Sequence, residues 1–234
     1  MKRRTIFICW ALLFLSPLAA QTHELGGFIG ASNYIGDIGT DKYIHPNAVA
    51  FGILYKWNTT DRYSLRAGFN HTRLKENEYY NSDFNRFRRS YKLSNLIYEA
   101  YAGIEINFIE YNLHNELTSF TPYIFYGISY FSYEQYYLTP NGFNPPNYNY
   151  YGKELEFALP LILGFKINPN PYFVLGLEMG ARYTFTDNLD GSKPENEYAN
   201  SGYDFGNIAN NDWYLFMGLT ISFTFGDLPC YCKE

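Results

Sequence analysis

Asn211-Asp212-Trp213-Tyr214-Leu215-Phe216-Met217-Gly218-Leu219-Thr220-Ile221-Ser222-Phe223-Thr224-Phe225-Gly226 alternates without a break. One set is Trp213, Leu215, Met217, Leu219, Ile221, Phe223 and Phe225, all apolar. The other is Asp212, Tyr214, Phe216, Gly218, Thr220, Ser222 and Thr224, small, polar or aromatic. A period of two puts the sets on opposite faces of a strand, with one face in an apolar medium. At about 3.3 Å per residue and a tilt near 45°, Trp213 to Phe225 covers roughly 28 Å, close to the ~30 Å hydrocarbon core of a bilayer. Aromatics at both ends with mostly aliphatics between them are the pattern of a lipid-facing barrel strand.

Seven further segments alternate in the same way. The first, about Glu24 to Tyr34, is glycine-rich and ambiguous in its facing. The second shows Val49, Phe51, Ile53, Tyr55 and Trp57 on one face, and the third Tyr63, Leu65, Ala67 and Phe69. The fourth presents Leu96 to Phe108 on even positions, opposed by Asn95, Glu99, Tyr101, Gly103, Glu105 and Asn107. The fifth shows Ile124, Tyr126, Ile128 and Tyr130. The sixth runs from Leu155 to Ile167 and the seventh from Phe173 to Phe185 on odd positions. The connections differ in length. Asn58 to Asp61 and Asn168 to Pro171 are tight, and Glu110 to Thr121 is intermediate. Gly36 to Asn47, Leu74 to Lys92, Leu138 to Gly152 and Thr186 to Asn210 are long and polar. An even strand count with short turns at one end and long loops at the other predicts an all-β, eight-stranded antiparallel up-and-down transmembrane barrel. Both mature termini then fall in the periplasm.

Composition agrees. The chain has 234 residues and a mean hydropathy of −0.30, and beyond the N-terminus no apolar run approaches the ~20 residues of a spanning helix. Aromatics make up 21% of it, including 25 Tyr, more than a soluble core needs but suited to two interfacial girdles. A soluble lipocalin-like barrel also alternates, but it turns its apolar face inward and needs no rims. Here Trp57, Tyr63, Phe108, Phe173 and Phe225 would form the periplasmic rim, and Phe69, Tyr130, Phe185 and Trp213 the outer one.

Residues 1–20 read as a secretory signal, with Lys2, Arg3 and Arg4 before the apolar Ile6 to Leu15 and cleavage after Ala20. Its loss removes three positive charges from a net −5 and leaves −8. Nothing in this charge balance points to nucleic acid. Residues 21–226 are expected to form the barrel and residues 227–234 a periplasmic, cysteine-containing tail.

The faces opposite the lipid carry Lys56, Arg62, Arg66, Lys166 and Arg182 against Glu99, Glu105, Glu154, Glu156 and Glu178. An eight-stranded barrel is just wide enough for side chains to fill, so these read as a paired network rather than an ion path. The histidines are His23, His45, His71 and His114. His71 has Thr72 and Arg73 beside it, not an activated nucleophile and its base, so no catalytic residue and no cofactor is expected. Asp187-Asn188-Leu189-Asp190-Gly191 lacks the Asp-x-Asp-x-Asp-Gly spacing of a calcium loop and reads as a turn. Arg86, Arg88 and Arg89 cluster in the second external loop and read as a solvated loop face, with contact to lipid-head phosphates as the alternative.

Cys230 and Cys232 are the cysteines outside the signal. Residues two apart in an extended chain lie nearly 7 Å apart, so a bond within the pair needs a bend. The open choices are idle thiols, a strained bridge, or a disulfide to another molecule.

Residues 24–38, Glu-Leu-Gly-Gly-Phe-Ile-Gly-Ala-Ser-Asn-Tyr-Ile-Gly-Asp-Ile, resemble the first strand and loop of the PorG-type outer-membrane barrels. Leu54-Tyr55-Lys56-Trp57-Asn58, Arg62 to Ala67 and Pro122 to Gly127 are similar to that family too. The family belongs to the type IX secretion system of Bacteroidota. The resemblance implies a non-enzymatic outer-membrane component, in contact with outer-membrane lipids and with a periplasmic ring built from a lipoprotein and its soluble partner. Cys230 and Cys232 are the candidate partner-binding residues. The alternative is a small porin-like or general structural barrel.

Overall fold

The computed structural model describes residues 22–39, 44–81, 83–89, 91–113, 118–141, 144–199, 202–207 and 210–226. The expected signal (1–20), His114 and the expected tail (227–234) with Cys230 and Cys232 lie outside them. Eight strands close into one antiparallel barrel in chain order. They are β1 (Thr22–Ile35), β2 (Ala48–Asn58), β3 (Tyr63–Asn77), β4 (Lys92–Asn107), β5 (Ser119–Asn141), β6 (Asn144–Asn170), β7 (Phe173–Thr184) and β8 (Trp213–Phe225). A short helix, α1 (Phe84–Arg89), sits between β3 and β4. The seam pairs β1 with β8 from His23↔Phe225 to Ile35↔Trp213. Closure leaves no unpaired edge in the membrane-spanning part, which is what permits strands to cross lipid. No described helix is long and apolar enough to cross a membrane.

The alternation holds as the sequence predicts over Leu219 to Phe225, while Leu215, read as lipid-facing, is buried. Leu219, Ile221, Phe223 and Phe225 point outward, and Thr220, Ser222 and Thr224 are buried in the lumen. Around the barrel the outward set includes Leu25, Ile29, Val49, Ile53, Leu161, Leu163, Leu175 and Leu177, all exposed. A water-soluble surface would not expose such a continuous apolar band, but a bilayer requires one. Both aromatic rims form. At the short-turn end His23 stacks with Tyr55, Trp57 and Phe225. At the other, Trp213 meets Tyr183 edge-on with ring centres 4.9 Å apart, and Tyr183 meets Phe185.

The structure corrects two boundaries. The fifth and sixth strands do not stop at Tyr130 and Leu155. They run on as a 23- and a 27-residue hairpin, so most of the expected 138–152 loop is strand, paired as Leu138↔Tyr148 and Tyr136↔Tyr150. A register shift between Gln135 and Tyr136 twists this arm where it leaves the barrel wall. Likewise β3 continues through Leu74 to Asn77, inside the expected 74–92 loop.

Gly103 and Gly127 face each other across β4 and β5. A Cβ on Gly103 would strike the Tyr126 carbonyl and the Gly127 Cα, both backbone and unable to swing aside. This bare patch of wall lies under the Phe125 ring.

Leu219→Arg, on the lipid face, should lower unfolding free energy by roughly 2–4 kcal/mol if its position lies near the bilayer midplane. Denaturant titration of the barrel in lipid, read by tryptophan emission, measures it. A change below about 0.5 kcal/mol, the scatter of ordinary surface substitutions, would contradict the lipid-facing assignment.

Candidate functional site

Buried charged and aromatic side chains occupy the lumen. Near the short-turn end Glu105 on β4 accepts from Lys166 Nζ at 2.5 Å and lies 3.0 Å from Lys56 Nζ and 3.4 Å from Arg66 Nη1. One carboxylate thus joins cations from β2, β3 and β6. Arg66 also forks onto Glu178 of β7 at 2.8 and 2.9 Å, and Tyr123 donates to the same carboxylate at 2.7 Å. The paired, bidentate geometry is the strong form of this contact. The Tyr101 hydroxyl accepts from Arg66 at 3.1 Å. A level higher, Glu99 accepts from Arg182, Tyr214 and Asn70 at 3.2, 3.1 and 2.8 Å, and the Arg182 guanidinium lies 4.5 Å over Phe216.

Four buried cations, Lys56, Arg66, Lys166 and Arg182, pair with three buried carboxylates, Glu99, Glu105 and Glu178, while a fourth, Glu24, is buried among them with its Oε2 unpartnered. The expected network is present, but its membership changes. Arg62 sits in the turn before β3 and pairs with Glu110, both exposed. Glu154 and Glu156 belong to the projecting hairpin, above the lumen. Glu24 replaces them. It faces Lys56 in register and accepts from Asn58 at 2.9 Å. Its period-two signal was hidden among Gly26, Gly27 and Gly30.

Both ends of the lumen are plugged. Tyr111, Leu113 and Val174 close the short-turn end, with Lys166 Nζ 4.8 Å from the Tyr111 ring centre. At the long-loop end Leu74, Ile97, Phe131, Tyr133, Tyr214 and Leu189 form a buried apolar layer. The turn from Asp187 to Ser192 presses into that layer, with Gly191 at φ 77°. Asn95 donates to the Leu189 carbonyl, Leu189 N–H donates to Asp212, and Ile38 N–H donates to Asp190. The Tyr34 hydroxyl donates to Asp212 as well. The Asp187 to Gly191 segment is thus a buried stopper. Among the described residues no three His, Cys, Asp or Glu side chains are grouped to hold a metal ion.

The stopper's carboxyls are unusual. Burial, then Asp37 and Asp190 beside it, push Asp187 up to about 7. Burial also raises Asp190 and, with Asp190 next to it, lifts Asp212 well above the carboxylate range. His71 stacks on Tyr98 at 4.5 Å with Nδ1 3.2 Å from the Ile97 carbonyl, a packing role at the rim. His45 lies 4.0 Å from Glu76. Of the three loop arginines, Arg89 is structural: it binds Glu78 and the Asp37 carbonyl and lies over Tyr91 and Phe205. Arg88 is exposed on α1, and Arg86 is half-buried.

A family model described as a domain of unknown function, DUF6089, matches residues 3–234. No curated protein matches. Among solved structures, Neisserial surface protein A is 11% identical over 88% of this chain and 96% of its own, at a TM-score of 0.46. The N-terminal barrel domain of Pseudomonas aeruginosa OprF is 11% identical over 87% and 97%, at 0.45. Ail of Yersinia pestis is 13% identical over 89% and 100%, at 0.42. The barrel itself rests on the strand register.

Two outcomes follow from this geometry. Glu105→Gln leaves Lys56, Lys166 and Arg66 short of a counter-charge and should cost about 3–5 kcal/mol in unfolding free energy, measured by denaturant titration in lipid. The raised carboxyls bind protons more tightly folded than unfolded. Their stabilising effect is therefore full below the unfolded carboxylate range and is lost as pH rises through about 7 for Asp187. Hydrogen exchange at the Leu189 and Ser192 amides, corrected for intrinsic rates, should show protection falling between pH 5 and pH 8. Asp187→Asn should flatten that slope.

Proposed function

We propose, for a chain that belongs to the DUF6089 family and folds as a filled, lipid-belted barrel, that it serves as a non-enzymatic outer-membrane component of the type IX protein secretion system. Its task is to anchor or contact the periplasmic ring of lipoprotein and soluble partner. The observation that carries the structural half of this reading is the lumen, crossed by buried ion pairs and plugged at both ends. Such a barrel offers rigidity and a fixed place in the bilayer rather than a conduit. The secretion half rests on the similarity of residues 24–38, 54–58, 62–67 and 122–127 to PorG-type barrels, which fall on β1, β2, β3 and β5.

The short-turn end is then periplasmic. Strand β8 ends there at Phe225, and Cys230 and Cys232 follow it in sequence. One of these thiols would join the barrel covalently to the ring lipoprotein.

Affinity purification of the tagged barrel from envelopes should bring down the ring lipoprotein and its soluble partner. A barrel recovered without them points to a general structural role. Planar-bilayer recordings should show no stable unitary conductance, and steady channel openings would support the porin-like alternative. On a non-reducing gel a reducible high-mass species should be present in wild type and absent from the Cys230→Ser, Cys232→Ser double variant.

A further inference from the structure

At the long-loop end a polar cleft of about 460 Å³ opens between the end of β7, the start of β8 and the loop after β1. A hollow of about 260 Å³ shares Asp37, Arg86 and Asn207 with it, so the two form one trough. The combined size is that of a small-ligand site.

Two of the charges lining the cleft are unspent. Asp187 is 5% exposed, and its Oδ2 has no hydrogen-bond partner. Arg86 is half-buried and makes no ion pair among the described residues, whereas Arg89, one turn on, is held by Glu78. The other carboxylates of the cleft are engaged: Asp212 takes the Tyr34 hydroxyl and the Leu189 amide, and Asp37 takes the Asn207 amide. A guanidinium and a buried carboxylate that line one void gain most by pairing, yet these two stay apart. What complements both at once is a zwitterion.

The chemistry of each end follows. Among the described residues the acidic end lacks the grouped ligands that a metal ion needs. A hydrogen-bond-donating ammonium needs only one carboxylate and a few neutral acceptors. At the basic end a planar guanidinium is suited to phosphate. The level of the cleft follows from its wall. Tyr183 and Trp213, which line it, belong to the outward-facing aromatic rim, and such rims sit at headgroup depth.

We propose that this cleft binds a phosphoethanolamine group, with the ammonium on Asp187 and the phosphate on Arg86. Two sources share that chemistry: the headgroup of phosphatidylethanolamine and a soluble phosphoethanolamine ester. The assignment stands apart from any secretion role, since it depends only on the cleft and on its place at the rim.

The test uses the full-length barrel in nanodiscs of phosphatidylglycerol with an equal share of phosphatidylethanolamine. Native mass spectrometry then reads the lipid retained on release. Separate titrations use O-phosphoethanolamine and inorganic phosphate in detergent. Retention of phosphatidylethanolamine over phosphatidylglycerol should be about tenfold, a preference of ~1.4 kcal/mol. Arg86→Gln and Asp187→Asn should each bring it near parity. Arg88→Gln, on the exposed side of α1, should leave it intact. Unchanged heat-modified gel mobility certifies that each variant is folded. If the soluble ester binds and displaces the lipid, the source is soluble. If it does not bind while the lipid is retained, the source is the membrane. Equal retention of the two lipids with no binding of the soluble ester overturns the proposal. So does a preference that survives both substitutions, or phosphate binding as tightly as its ethanolamine ester.

Discussion

A charge inside this barrel has little water to fall back on, and the packing of the lumen follows from that constraint. Taking an ion out of water costs several kcal/mol even after relaxation, so each must meet its opposite in good geometry. Glu105 shows how closely the condition is met. Its two oxygens serve Lys56, Arg66 and Lys166, which come from three different strands. Apolar side chains could fill the same space at no greater cost. What the charges add is register. Sliding one strand by a single residue turns its whole inward set outward, so Lys56 or Arg66 would face lipid and Glu105 would lose its partners.

The barrel is thus inside out relative to a soluble one, and its two media impose opposite rules on neighbouring residues. Leu219 and Thr220 are adjacent in sequence, yet one meets acyl chains and the other a polar interior. Beyond the bilayer the rule lapses. The β5–β6 arm carries exposed Tyr148 and Tyr150 beside buried Tyr133 and Tyr136, and tyrosines 137, 151, 198 and 203 stack on one another above the rim. That clustering accounts for part of the high tyrosine content, which the sequence reading assigned to the girdles alone.

Much of this was legible beforehand, because a lipid-facing strand shows a strict period of two. All eight strands, the short turns and both rims were visible in that period. What it conveys is facing, and height along the barrel axis is not part of it. Glu154 and Glu156 have lumen parity but sit above the lumen, and Arg62 sits below it in a turn. Glu24 was missed for a different reason: glycines on both faces of β1 erase the contrast that alternation depends on. The arm was misread because Pro140, Pro145 and Pro146 with several asparagines look like a loop, although paired backbone continues almost to the tip. The cleft around Asp187 had no local signal at all. Its members come from four segments, around Asp37, Arg86, Asp187 and Asp212, that only barrel closure brings together.

Closure has its own consequence for the life of the chain. Strand β1 finds one of its two partners in β2, 16 to 36 residues on, but the other in β8, at separations of 178 to 202 residues. Until Trp213 to Phe225 is available, one side of β1 remains an open edge, an invitation to wrong pairing. A molecule built this way finishes folding only after nearly all of it has been made. Such non-local pairing is slow, because the entropy of closing the loop is lost before any contact repays it. The seam that seals the barrel in lipid therefore also sets how long the polypeptide must be chaperoned, unfolded, on its way there.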